Sequence, residues 1–321
     1  MAAVGLVGFA GVVVFGLLYF VFYFKEISLK LPVIGMAVFA LVIAASVIVP
    51  KLEFLSLLGG GASHTIHAEK ESLSPRDDGF PQLLLDKRGV TITATGLVEN
   101  SAQGPALAVS IENRSETDVT VEIRDACVNG WMMDTSFFAA VAAGQKTKGS
   151  IVFLASGMER SEIETVAELE FSFHILNQNR VTVLDSDTVT IRTSAAGDYQ
   201  YRDDGLGEEL YRENGVRIVS RGFDRDASVF GPGLVLFMEN TTDQAITVQA
   251  RDVSVNGSAV DAISSEDVLP GKRSAAAVTL IGTSLQDNGI GEIKSMSFYL
   301  HVLDRDERAT LFDTETFTIV V

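Results

Sequence analysis

Hydrophobic and polar positions follow two different rules along this chain. Residues 2–24 and 31–50 are uncharged apolar runs of 23 and 20 residues, separated by Lys25-Glu26-Ile27-Ser28-Leu29-Lys30. Roughly 20 apolar residues suffice to span a bilayer. The pattern therefore predicts a two-helix transmembrane hairpin over residues 1–50, with spans at about 3–24 and 32–50. Tyr19, Tyr23 and Phe24 stand where an interfacial aromatic belt belongs. A cleaved signal peptide is the competing reading of the first run, but no basic residue precedes its apolar core and a second run follows. Lys25 and Lys30 put the connecting loop on the cytoplasmic side and the rest of the chain outside; Lys51 argues the other way.

Beyond residue 75 the apolar period becomes two, the mark of half-buried strands. Val90–Leu97 is rich in β-branched residues, and Ala106–Glu112 and Val119–Ile123 alternate. Leu169, Phe171, Phe173 and Ile175 share one face, with Glu168, Glu170, Ser172 and His174 on the other. Met296, Phe298, Leu300 and Val302 form the same inner set further on, and Val189 and Ile191 alternate with Thr188, Thr190 and Arg192. Short helical turns are predicted near Ser161–Val166 and Leu285–Ile293.

These strands belong to a tandem repeat. Arg76-Asp77-Asp78-Gly79 recurs as Arg202-Asp203-Asp204-Gly205, and Gly89-Val90 as Gly215-Val216, 126 residues on. After one inserted residue the offset is 127. Gly104-Pro105 then matches Gly231-Pro232, and Glu112-Asn113 matches Glu239-Asn240. Arg124-Asp125 matches Arg251-Asp252, Asn129-Gly130 matches Asn256-Gly257, and Phe171 and His174 match Phe298 and His301. The predicted fold class is an all-β part made of two tandem immunoglobulin-like β-sandwiches, 76–193 and 202–321, preceded by the hairpin. Residues 194–201 form the linker, short enough to limit the freedom of the sandwiches, and the glycine- and serine-bearing stretch 51–75 is a flexible stalk.

Two details assign structural work to the repeated residues. Asn-Gly accepts positive φ at both turn positions, so Asn129-Gly130 and Asn256-Gly257 predict hairpins. The apolar parity slips by one at Arg124-Asp125 and again at Arg251-Asp252, which predicts a β-bulge or a bend between sheets. A ligand role for those pairs is the competing reading.

Charge then narrows the function. With 25 Lys+Arg and 42 Asp+Glu the chain carries −17, yet its mean hydropathy is positive. The first 50 residues hold only Lys25, Glu26 and Lys30, so the other 271 carry 23 basic and 41 acidic groups, a net −18. Nucleic acid, which wants clustered Lys and Arg, is excluded as a partner. Cys127 is the only cysteine, so no disulfide forms within the chain; it reads as a buried, inert thiol. No phosphate-binding, dinucleotide, metalloprotease or nucleophile-elbow motif is present. No cofactor is expected and the chain reads as a non-enzyme.

Metal candidates are few. His64 and His67, with Glu69 close by, are imidazoles suited to zinc or copper, but they lie in the stalk. Asp224 and Asp226, Asp185 and Asp187, and Asp304 and Asp306 with Glu307 are spaced carboxylates of the kind calcium takes, without an EF-hand loop; solvated loop charge is the competing reading. His174 and His301 read as outward-facing, a possible pH-sensitive contact or plain surface. Asn113-Arg-Ser115, Asn240-Thr-Thr242 and Asn256-Gly-Ser258 are formal glycosylation sequons.

The repeated Gly-Val-x-Ile, Gly-Pro, Glu-Asn, Arg-Asp-x-x-Val-Asn-Gly and Phe-x-x-His motifs resemble the tandem β-sandwich modules of uncharacterised membrane-anchored proteins of Gram-positive, Clostridia-like bacteria. The resemblance covers residues 76–321 and implies fold and envelope location; it brings no catalytic residue, and the zinc ribbon of some such proteins is missing. The resulting expectation is a membrane-anchored cell-envelope protein. Its helices would contact membrane lipid, and its extracytoplasmic modules would bind or scaffold a protein or surface polymer, the duplication suggesting bivalence. The alternative is an accessory or sensory subunit of a membrane transporter or signalling complex.

Overall fold

In this computed structural model the described residues are 79–99, 101–203 and 205–321. The first repeat forms β1 (Gln82–Lys87), β2 (Val90–Val98), β3 (Ala106–Asn113), β4 (Val119–Val128), β5 (Trp131–Met132), β6 (Thr135–Ser136), β7 (Ala139–Val141) and β8 (Lys146–Phe153). Helix α1 (Ala155–Arg160), β9 (Glu168–Asn177), β10 (Thr182–Asp185) and β11 (Val189–Arg192) complete it. The second repeat forms β12 (Glu208–Glu213), β13 (Val216–Ser228), β14 (Gly231–Asn240), β15 (Ile246–Val255), β16 (Ser258–Ala259), β17 (Ala262–Ile263), β18 (Glu266–Val268) and β19 (Arg273–Leu280). Helix α2 (Gly282–Asp287), β20 (Ser295–Asp304), β21 (Thr310–Asp313) and β22 (Phe317–Val320) follow.

Each repeat is an immunoglobulin-like sandwich. In the first, β1-β2-β3-β8 make one sheet, and β4, β9 and β10/β11 make the other. In the second, β12-β13-β14-β19 face β15, β20 and β21/β22. The chain leaves the first sheet after its third strand, returns with β8 or β19, and crosses again; this is the two-sheet arrangement of immunoglobulin domains with an added N-terminal strand. Alternation builds the cores. Ile92, Leu107, Ile111, Ile151 and Phe153 meet Val121, Leu169, Phe171 and Ile175, all fully buried; Ile218, Leu234, Phe298, Leu300 and Val302 do the same in the second sandwich.

The turn residues take the backbone conformations that the hairpins need. Asn129 and Gly130 have φ of 54° and 79°, and Asn256 and Gly257 have 52° and 84°. Each asparagine also staples its sandwich. Asn129 donates from Nδ2 to the Thr165 carbonyl (2.8 Å), and its Oδ1 accepts from the backbone N–H of Ala167 (2.8 Å) and Glu168 (2.9 Å). Asn256 does the same with Glu292, Lys294 and Ser295. The ladder skips between Arg124 and Cys127 and between Arg251 and Ser254, where Asp125 (φ 56°) and Asp252 (φ 50°) are left-handed. The bulge re-aims the side chains without ending the strand, so β4 and β15 run ten residues each.

Asn113 and Asn240 are fully buried. Asn113 donates to the carbonyls of Thr117 (2.9 Å) and Val141 (3.0 Å), and Asn240 to those of Gln244 and Val268 (both 2.8 Å). Both amide protons are in use and no surface is offered, so these two sequons are fold-bracing turns that a glycan cannot reach in the folded chain.

Two expectations are corrected. The fold class is all-β with two short helices, and the transmembrane hairpin is not supported. The helices α1 and α2 have six residues each, about 9 Å of helix against a bilayer core of about 30 Å. No helix among the described residues is long and apolar enough to cross a membrane. The proposed spans 3–24 and 32–50, the stalk 51–75, and with it His64 and His67, lie outside the described residues. The contact with membrane lipid through helices loses its support with the hairpin. The helical turns themselves sit earlier than predicted: they follow β8 and β19 directly, with Met158 and Leu285 buried beneath them, the first ends at Arg160 with Glu162 at φ 53° inside the predicted segment, and the second shares only Leu285–Asp287 with its predicted segment.

Replacing Asn129 by Ala removes three hydrogen bonds and leaves in a left-handed turn a residue that tolerates it less well than asparagine. The expected loss is about 3 kcal/mol in urea unfolding, with Asn129→Asp losing less.

Candidate functional site

The two sandwiches meet where β5 of the first lies beside β19 of the second. Trp131 and Arg273 form a parallel bridge there, with the Arg273 N–H on the Gly130 carbonyl at 3.0 Å, so one sheet continues from the first sandwich into the second. Both sandwiches fall within one compact unit, Leu73–Val321. The outer face of β13, β14 and β19 makes this contact. Val219 and Phe237 stand on strands of the second sandwich yet are buried in the core cluster of the first, with Tyr201 and Ala275 packed against it. Trp131 sits edge-on to Phe237 at 5.4 Å between centroids and to Tyr201 at 5.8 Å.

Cations stack on these rings. Arg273 lies 3.7 Å from the Tyr201 ring centre; Arg217 and Arg221 lie 5.3 and 5.4 Å from that of Phe237. Arg273 also pairs with Glu239 at 3.1 Å, and Lys272 pairs with Glu170 of the first sandwich. Arg305 reaches across to Asp125 at 2.6 Å and holds Asp267 at 3.1 Å. Arg160, at the end of α1, donates to the Ala227 carbonyl at 2.6 Å.

Nothing in the first repeat mirrors this surface. At the 127-residue offset Ser258 stands for Trp131 and Ser110 for Phe237; at 126, Thr93 stands for Val219 and Thr95 for Arg221. The repeats share turns and cores but differ on the face that docks.

Two recesses flank the bridge, and Arg160 lines both. One is a cavity of about 370 Å³ walled by Trp131, Tyr199, Tyr201 and Phe237. Three guanidinium-bearing residues line it, Arg160, Arg202 and Arg221, against one carboxylate, Glu162. The other, about 580 Å³, sets Arg124, Arg160, Arg305 and Arg308 against Asp125, Asp134, Glu266 and Asp267. Asp125 and Asp267 are committed to Arg305. Within it, burial pushes the Glu266 carboxyl up to about 7, with Asp134 and Asp267 adding to the shift and the Ser274 hydroxyl, 2.5 Å away, opposing it.

The other sequence candidates fall elsewhere. Asp125 joins the junction, whereas its repeat partner Asp252 is exposed and Arg251 bonds Gln249. Asp224 and Asp304 accept the backbone N–H groups of Asp226 and Asp306 (2.9 Å each), so their carboxylates close their own loops. Among the described residues no group of three or more His, Cys, Asp and Glu could hold a metal. Burial pushes the Cys127 thiol up to about 12, which keeps it protonated and unreactive at neutral pH.

The histidines differ from expectation. His174 is buried, because β10 runs beside β9 and sets Asp185 directly opposite, with Nδ1 and Oδ1 2.5 Å apart. His301 meets Asp313 in the same way at 2.5 Å. The signal was available: an aspartate follows each repeated histidine by 11 or 12 residues.

No protein-family model and no curated protein sequence matches the chain. Among solved structures, the Salmonella enterica SafA pilin in complex with the SafB chaperone is similar over 74% of this chain and 98% of that one, at 13% identity and a TM-score of 0.24. The YadV chaperone is similar over 73% and 100%, at 13% identity and 0.22. An exo-chitosanase of Amycolatopsis orientalis is similar over 70% and 26%, at 11% identity and 0.21. Scores this low carry no inference about partner or chemistry.

A carboxyl titrating near 7 when folded and near 4.5 when unfolded binds more proton in the folded state across that window. Its contribution is whole below pH 4.5 and is lost as pH rises through 7. Chemical unfolding across this window should show Glu266 contributing a loss of up to about 3 kcal/mol, and Glu266→Gln should remove that part of the slope.

Proposed function

We propose that this chain is a binding and scaffolding protein without catalysis of its own, which takes a protein partner at the junction of its two sandwiches. The observation that carries the reading is the aromatic, arginine-lined cavity beside Trp131. Aromatic rings and arginines are the side chains that dominate binding energy at protein interfaces, through large apolar contact and planar multi-donor hydrogen bonding. Their carriers are held in place here by the sheet bridge and by stacking, so little ordering cost remains for a partner. One composite site is favoured over two equivalent ones, because Ser258 and Ser110 cannot rebuild in either repeat what Trp131 and Phe237 build between them.

The test is site-specific photocrosslinking in cells that express the full chain. A crosslinking side chain at position 199, in the cavity wall, should give a discrete protein adduct identifiable by mass spectrometry. The same group at position 287, exposed at the end of α2, should not. Protein adducts from neither position, or equally from both, would contradict the reading.

A further inference from the structure

The junction cavity has a lining that runs against the net charge of the chain. The whole chain carries −17, yet Arg160, Arg202 and Arg221 line this cavity with Glu162 as its one lining carboxylate, and Asp203 pairs with Arg221 from beside it. Two of the three guanidiniums are positioned before any ligand arrives: Arg160 by the Ala227 carbonyl at 2.6 Å, Arg221 by the Phe237 ring at 5.4 Å and by Asp203 at 3.9 Å. The neighbouring recess sets four carboxyl groups among its four arginines, and two of them hold Arg305. The aromatic walls favour an apolar or extended body between the charges of a ligand.

The backbone supplies the second element. Gln200 and Arg202 line the cavity with Tyr201 between them, and the stretch belongs to no strand. Among the described residues, these three make no backbone–backbone hydrogen bond. A run of main-chain donors and acceptors beside a cavity is a template for an extended peptide, which supplies matching groups at every residue. A sugar polymer has no such repeat. A cavity of about 370 Å³ lies at the small end of ligand sites and suits two or three residues of such a strand.

Resting on the binding reading above, we infer that the cavity receives a short acidic peptide strand, its carboxylates on Arg160, Arg202 and Arg221 and its main chain along Gln200–Arg202. Trp131, the only tryptophan of the chain, lines the cavity and reports on its occupation.

The full-length chain is titrated with acetylated, amidated Ala-Asp-Leu-Glu-Ala while Trp131 fluorescence is followed. A saturable change is expected, absent with the Ala-Asn-Leu-Gln-Ala control. Arg202→Glu should weaken it about tenfold at an unchanged melting temperature, and Arg202→Lys should keep most of it. Raising the ionic strength from about 0.05 M to about 0.3 M should weaken binding to the unaltered chain, a readout that does not depend on any variant folding. The inference is overturned if the acidic peptide gives no saturable change, if the amide peptide binds equally, or if trigalacturonate saturates the signal where the peptide does not. A protein adduct from position 199 together with a silent peptide titration would overturn the acidic strand and leave the binding reading standing.

Discussion

The packing of Trp131 against Phe237 is the contact through which this tandem becomes one body. Trp131 projects from the short strand after the Asn129-Gly130 turn of the first sandwich, and Phe237 from the outer face of the second. Each alone would be a large exposed aromatic on a β surface. Together with Val219 they are buried as part of the first sandwich's own core. The bridge to Arg273 and the cation stacks follow from that approach, as do the pairs Lys272–Glu170 and Arg305–Asp125. So do both recesses, whose walls come from the two repeats at once.

The same contact explains how one duplicated fold yields one site. Turn and core residues recur because the sandwich needs them: the left-handed Asn129 and Asn256 bond the strand that follows α1 or α2, and the buried Asn113 and Asn240 brace two loops each. The docking residues do not recur. Ser258 gives the second sandwich no tryptophan to present, and Thr93, Thr95 and Ser110 give the first no apolar face to receive one.

Much of the sandwich was legible because its signals are local. The alternation over Leu169–Ile175 and Met296–Val302 named the inner faces, Asn-Gly marked the hairpins, and the parity slip at Arg-Asp corresponds to a skip in the ladder. What escaped was contact between segments distant in sequence. His174 was assigned outward from strand parity, but β10 covers that face with Asp185. Trp131, a lone aromatic after a turn, carries no pattern; only its mismatch with Ser258 across the repeat marks it. The junction is written in the repeated positions that differ in character, since shared positions report the fold and divergent ones report what each copy touches. The apolar runs of the first 50 residues predicted spans, and the helices found among the described residues do not include one.

Calorimetry on Trp131→Ser tests the account most directly, since it gives the first repeat the residue that the second already has at that position. With the junction intact, both sandwiches should unfold in a single cooperative transition. In the variant that transition should split in two, the earlier one shifted down, because removing a buried tryptophan costs about 3–5 kcal/mol at a contact that links the two halves. Two independent transitions in the unaltered chain, or one transition that the substitution leaves in place, would contradict the claim that this pair of rings joins the sandwiches into one body.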